Sequence, residues 1–133
     1  MSESKQAGFS LLGVLIAVMI IGIMATMAVT RFTSAIATAN TAKVQSDLTT
    51  LDAAIAMYQL EKGKAPSTLS DLGEYVEDLD KLKPPKGKCR LKNGEIITLS
   101  SESYDLLPGA ADSLQGTRAV CGKYKAGDFG NGN

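Results

Sequence analysis

Residues 9–30 read FSLLGVLIAVMIIGIMATMAVT, twenty-two consecutive positions without a charged side chain. As a helix rising about 1.5 Å per residue, that stretch covers roughly 33 Å, the thickness of the hydrocarbon layer of a bilayer. It is a helix of membrane length. It begins behind the short polar leader MSESKQAG and is longer than the core of an ordinary secretory signal. No small-x-small cleavage pattern follows, because Ala28, Val29 and Thr30 lead into Arg31 and more helix-forming sequence, so the segment is expected to stay on the protein. Lys5 beside the run favours a cytoplasmic N-terminus with everything after Arg31 translocated, and Glu3 opposes that bias.

Lys5-Gln6-Ala7-Gly8 followed by Phe9-Ser10-Leu11-Leu12 and then Val14-Leu15-Ile16 resembles the class III signal of type IV pilins and type II secretion pseudopilins. The likeness continues from Thr41 to Leu72, where AKVQSDLTTLDAAIAMYQLEKGKAPSTLSDL resembles that family's long helix ending in glycine and proline before a short second helix. Such a resemblance implies that a prepilin peptidase cuts between Gly8 and Phe9 on the cytoplasmic face and methylates the new amine of Phe9. It implies a single-pass membrane protein with its C-terminal domain exported. The subunit is then extracted by an assembly platform and a cytoplasmic ATPase into an extracellular or periplasmic filament of pilin-like subunits. The fold it implies is α+β: leader 1–8, membrane or filament-core helix half 9–30, amphipathic helix half 31–62, and a small globular domain 63–133 with a short antiparallel sheet.

This sequence departs from the family pattern at two positions. The fifth residue after the implied cut is normally a glutamate thought to pair with a neighbouring subunit's charged amine, and here it is Gly13. An amine in a dry helical bundle is costly without a partner. Family members lacking the glutamate tend to be minor or tip subunits, so Gly13 marks a missing charge partner; the other reading is a tolerated variation. Thr30 stands where many relatives carry a helix-bending proline, so a straighter helix is expected.

Fourteen acidic and fourteen basic residues leave no net charge to draw nucleic acid or an acidic substrate. The chain has no histidine, which removes the commonest general base and zinc ligand, and two cysteines are too few for a thiolate zinc site. Neither a nucleophile motif nor a phosphate-cradling glycine loop is present. An enzyme and a cofactor are not expected. In an oxidising compartment Cys89 and Cys121 read as one disulfide, worth roughly 3 to 4 kcal/mol in the entropy model, and pilins of the resembled family often close a C-terminal loop in this way. Two free buried thiols are the alternative, while a catalytic dithiol lacks the CxxC spacing.

From Arg31 the chain turns amphipathic. Val44, Leu48, Leu51, Ile55 and Tyr58 fall at spacings of four and three on one helical face, opposite Lys43, Gln45, Asp47, Thr50 and Gln59, which read as solvated. Lys62, Gly63 and Pro66 end the helix. Thr68 with Asp71 resembles a capping box opening a short second helix to about Leu82, broken or bent near Gly73, with Leu69, Leu72, Val76 and Leu79 inward. Asn93-Gly94 between residues 89–92 and 95–100 signals a hairpin, and residues 117–124 read as a third strand. Residues 100–115 read as a loop, and the tail after Ala126 reads as frayed, with Asp128, Asn131 and Asn133 a weak hint of calcium.

An acidic block (Asp71, Glu74, Glu77, Asp78, Asp80) precedes a basic one (Lys81, Lys83, Lys86, Lys88, Arg90, Lys92). Two solvated surfaces are the plain reading. Contact between the acidic face of one subunit and the basic face of the next is a second. DNA held by the lysines is a third and is not favoured, because only Tyr75 is near enough to stack on bases. The chain therefore reads as a structural filament subunit, with a minor or priming subunit and a plain bitopic membrane anchor as the competing readings.

Overall fold

The structure is a computed structural model that describes residues 2–109 and 116–130, with side chains from Gly8 onward. The side chains of Glu3 and Lys5, residues 110–115 of the expected loop, and Asn131 and Asn133 lie outside the described residues. The order is one α-helix, short 3-10 turns and five strands, an α+β fold. Helix α1 occupies Ser2–Lys62 and passes Gly13, Gly22 and Thr30 without interruption. The chain divides into two compact units, one ending at Ala35 and the other starting at Ile36.

In the second unit, the expected stripe is the spine of the core. Val44, Leu48, Leu51, Ile55 and Tyr58 are each no more than 9% exposed, and they join Leu72, Val76, Cys89, Leu91, Leu99, Tyr104, Ala119, Cys121 and Phe129 in one cluster. The helix stops where Gly63 takes φ 67° and donates its N–H to the Gln59 carbonyl at 2.9 Å, the left-handed cap that a side chain would strain.

Of the polar residues expected to be solvated, Lys43 and Thr50 are exposed, but Gln45, Asp47 and Gln59 are only half exposed. Gln45 Nε2 donates to the Phe129 carbonyl (2.7 Å), Tyr104 O–H donates to Asp47 Oδ2 (2.6 Å), and Ala119 N–H donates to Asp52 Oδ1 (2.8 Å). Thr41 Oγ1 accepts the Arg90 N–H at 2.7 Å and donates to the Ala37 carbonyl. These groups pair with backbone atoms of Arg90, Ala119 and Phe129 and with the Tyr104 hydroxyl, so they fix the helix's position as the apolar stripe alone would not. Asp52→Ala leaves the fully buried Ala119 amide without an acceptor and is expected to destabilise the unit by about 1–3 kcal/mol, with Asp52→Asn costing less. Urea unfolding of the full chain in detergent checks this; equal midpoints for wild type and Asp52→Ala would remove the contact from the account.

The expected second helix is not formed. Two 3-10 turns, Leu69–Leu72 and Leu79–Lys81, stand in its place. A 3-10 turn repeats every three residues, so it puts Leu69 and Leu72 on one side as an α-helix would. Asp71 caps the first turn, its carboxylate accepting the N–H groups of Thr68 (3.0 Å) and Ser67 (2.9 Å), which hold its pKa below the usual carboxylate range. Asp78 at φ 55° then turns the backbone left-handed, which ends any continuing helix.

Strand β1 (Gly87–Arg90) pairs antiparallel with β2 (Ile96–Leu99), Arg90 opposite Ile96. Leu91 N–H donates to the Glu95 carbonyl (2.8 Å) beyond the strands, leaving a three-residue loop, 92–94, closed by Gly94 N–H to the Leu91 carbonyl (2.9 Å) with Gly94 at φ 88°, so the Asn-Gly signal holds with a longer turn than two residues. A second sheet has the order β3 (Asp105–Leu107), β4 (Arg118–Cys121), β5 (Tyr124–Lys125), all antiparallel. Strand β3 lies within the stretch read as loop, and the single expected third strand is a hairpin that turns at Gly122, φ 63°.

The tail is not frayed through residue 130. Phe129 is 1% exposed and bridges Leu91, Lys92 N–H donates to the Asp128 carbonyl (2.8 Å), and Gly130 N–H donates to the Arg90 carbonyl (3.2 Å).

Candidate functional site

Fourteen large apolar side chains between Phe9 and Val29 are exposed. At about 1.5 kcal/mol or more each, leaving them in water rather than burying them costs on the order of 20 kcal/mol, more than a domain of this size can offset. The segment therefore requires an apolar surrounding, and by length and composition the helix from Gly8 is able to cross a membrane. Its threonine hydroxyls do not spoil that surface. Thr26 donates to the Ile23 carbonyl (2.7 Å), Thr30 to Met27 (2.8 Å) and Thr33 to Val29 (3.0 Å), so each polar hydrogen is returned to the helix backbone.

Gly8 and Gly13 sit in open space on α1. A Cβ built on either meets nothing within 4 Å. Neither glycine is therefore required by the packing of the chain itself. Phe9 is 79% exposed beside Gly8, so the bond between them is sterically accessible. The helix spans that bond, and Gly8 lowers the cost of opening it by about 1 kcal/mol relative to alanine.

Cys89 on β1 and Cys121 at the end of β4 are thiols, both fully buried and both in the one core cluster. Burial and the neighbouring Cys121 push the Cys89 thiol up to about 11, and burial raises Cys121 as well. The structure thus brings the pair into one place from two different sheets.

The charged blocks are mostly solvated. Lys81 pairs with Asp78 (3.3 Å) and Lys86 reaches Glu102 (3.9 Å) between exposed side chains, contacts worth little in water. Tyr75, the aromatic on which base stacking would depend, is already engaged: its O–H donates to Glu61, which together with some burial pushes its pKa up to about 12, and its ring packs edge-on against Tyr58 at 6.1 Å. No group of three or more His, Cys, Asp or Glu side chains able to hold a metal occurs among the described residues. Asp128 Oδ2 accepts the Lys125 N–H at 2.9 Å. Sequence reasoning missed the roles of Gln45, Asp52, Tyr104 and Phe129, whose partners are 57 or more residues away.

Residues 4–29 match the family model of the prokaryotic N-terminal methylation motif. A type II secretion system core protein G from Escherichia coli (strain K12) is 30% identical, with 87% of this chain aligned to 89% of that protein. Its counterpart from Dickeya chrysanthemi is 24% identical over 98% of this chain and 99% of its own length, and that of Klebsiella michiganensis is 28% identical over 78% and 72%. No solved structure gives a significant match.

Proposed function

The chain belongs to the pilin and pseudopilin family, with core protein G of type II secretion systems among its relatives, and on that premise we propose how its residues serve a filament. It is a structural subunit of a pilus-like filament. In our reading, prepilin peptidase cuts between Gly8 and Phe9 and the new amine of Phe9 is methylated. Helix 9–30 is first a single-pass anchor with a cytoplasmic N-terminus, and after extraction it packs against the same helix of other pilin-like subunits. The domain after residue 62 is exported and decorates the outside of a periplasmic filament. An assembly platform and ATPase supply the extraction.

The observation that carries this reading is the uncharged, exposed surface of α1 directly after Gly8, inside the segment matching the methylation motif. That surface has two compatible surroundings, lipid and neighbouring apolar helices, and a filament subunit needs both in turn. Intact mass of the protein from its native membrane tests it. Loss of the first eight residues with one added methyl is expected; a full-length, unmethylated chain would move the reading to a plain bitopic anchor.

Gly13 favours a second reading, a minor or priming subunit that enters mixed filaments. Without a carboxylate at that position, the methylated amine of a neighbour is left unpaired in an apolar bundle. Space is open there, so Gly13→Glu is expected to raise the yield of homopolymer several-fold in a reconstituted assembly system. Equal yields would count against the charge-partner argument.

A further inference from the structure

The fold treats the two edges of the β1–β2 ribbon differently. Leu91 N–H donates to the Glu95 carbonyl, and antiparallel pairs alternate between bonded and unbonded, so the backbone groups of Lys88 and Arg90 point out of one edge and those of Ile96 and Thr98 out of the other. The β1 edge is closed. Asn40 Nδ2 donates to the Lys88 carbonyl (3.1 Å), Arg90 N–H to Thr41 Oγ1 (2.7 Å), and Gly130 N–H to the Arg90 carbonyl (3.2 Å). The β2 edge is open: among the described residues, no group bonds the outward N–H and C=O of Ile96 and Thr98.

Sheets commonly guard an open edge with a lysine, a proline or a bulge. Strand β2 reads Ile-Ile-Thr-Leu in unbroken register with β1 and carries none of the three, and Ile96 is 51% exposed. The same strand lines a cleft of about 210 Å³, whose walls include Ile97, Leu99, Cys121 and Tyr124. Lys123 is on that wall too, its Nζ 5.3 Å from the centre of the Tyr124 ring, and it pairs with no carboxylate among the described residues.

We propose that the open edge of β2 receives an extended segment of another polypeptide as an added strand, one in which aliphatic side chains alternate with acidic ones. Ile96 and Thr98 supply two N–H donors and two C=O acceptors to its main chain, and these bonds are indifferent to sequence. Choice comes from the side chains. One face of an added strand turns its aliphatic groups to the cleft walls, and its acids meet a cationic surround. Lys123 stands at the cleft, and Lys88 and Arg90 stand opposite Thr98 and Ile96 on β1. Two strand spacings put β1 about 10 Å from the newcomer, comparable to the Debye length at 0.1 M salt, so these charges still act on it. A second copy of this ribbon would bring the same three cations against their own kind, which favours a foreign acidic strand. The edge lies in the folded unit after Ala35 and does not depend on leader removal or filament assembly.

The test uses the full chain in detergent micelles and a short capped peptide alternating valine with glutamate. Before peptide is added, the Ile96 and Thr98 amides should exchange with heavy water at least about tenfold faster than those of Ile97 and Leu99, which bond to β1. Saturating peptide should slow Ile96 and Thr98 to the rate of their neighbours. Thr98→Pro removes one outward N–H and none that joins β2 to β1, so it should leave the urea midpoint near wild type and weaken peptide binding at least about tenfold. The peptide itself supplies a check that leaves the protein intact. Methylating alternate main-chain nitrogens gives two series, of which one should bind as the parent does and the other should not, because only one set of N–H groups faces β2. Replacing glutamate by lysine should weaken binding at least about tenfold at low salt, and Lys123→Glu should shrink that difference. No binding, equal binding by the two methylated series, or loss in both would overturn the proposal. Protection of Ile96 and Thr98 that rises with protein concentration in the absence of peptide would overturn it in favour of a second copy. An uncut leader in the native membrane would refute the filament reading and leave this edge untouched.

Discussion

Phe129→Ala is expected to destabilise the C-terminal unit by about 3–5 kcal/mol, a large share of what a domain of this size possesses. The ring is 1% exposed, lies edge-on to Tyr124 at 5.9 Å, and is held by main-chain contacts on both sides: its carbonyl accepts Gln45 Nε2, and its flanking residues bond to Lys92 and Arg90. Truncation removes the buried ring and leaves a cavity that these bonded neighbours cannot collapse to fill. Phe129→Leu keeps most of the volume and should cost roughly 1 kcal/mol. Urea unfolding of both variants in detergent, read as midpoint at constant slope, checks the ordering. A Phe129→Ala midpoint within error of wild type would mean that residues 126–130 do not belong to the core.

The second large effect falls at the other end of the chain. Gly8→Leu is expected to lower the rate of leader removal at least tenfold, about 1.4 kcal/mol or more of lost recognition. Glycine permits an enzyme's backbone to approach the chain closely, and a branched side chain there fills the space that the approach requires. The structure makes this result interpretable. A Cβ at Gly8 meets nothing in the protein, so the variant should insert and fold as the wild type does. Gly8→Ala should be cut more slowly than wild type and faster than Gly8→Leu, partly because alanine favours the helix that must open. Processing of Gly8→Leu at the wild-type rate, followed by mass spectrometry over time, would refute the assignment of the cleavage position.

What was legible in the sequence was whatever repeats over short distances. Twenty-two uncharged residues define an apolar helix, and spacings of four and three place Val44 through Tyr58 on a buried face, because both properties depend on helical geometry alone. Gly63 and Asn93-Gly94 are equally local, since backbone sterics decide which residues take a left-handed turn. The match of residues 4–29 to a methylation motif is likewise a linear signal.

The tertiary structure decided everything that depends on a partner far along the chain. Gln45, Asp47 and Asp52 have the composition of a solvated face, yet each accepts or donates a hydrogen bond across the core. The glycine-rich tail has the composition of a frayed end, yet Phe129 fills the space left between Leu91 and Tyr124. Leu69, Leu72, Val76 and Leu79 suit a helix by spacing, but Asp78 turns the backbone out of it and two 3-10 turns serve instead. Composition reports the average environment of a residue type, while a buried polar group is stabilised by the one backbone atom that happens to face it. The sequence therefore determined which helix must leave water, and only the folded unit decided which polar residues and which end of the chain would close its core.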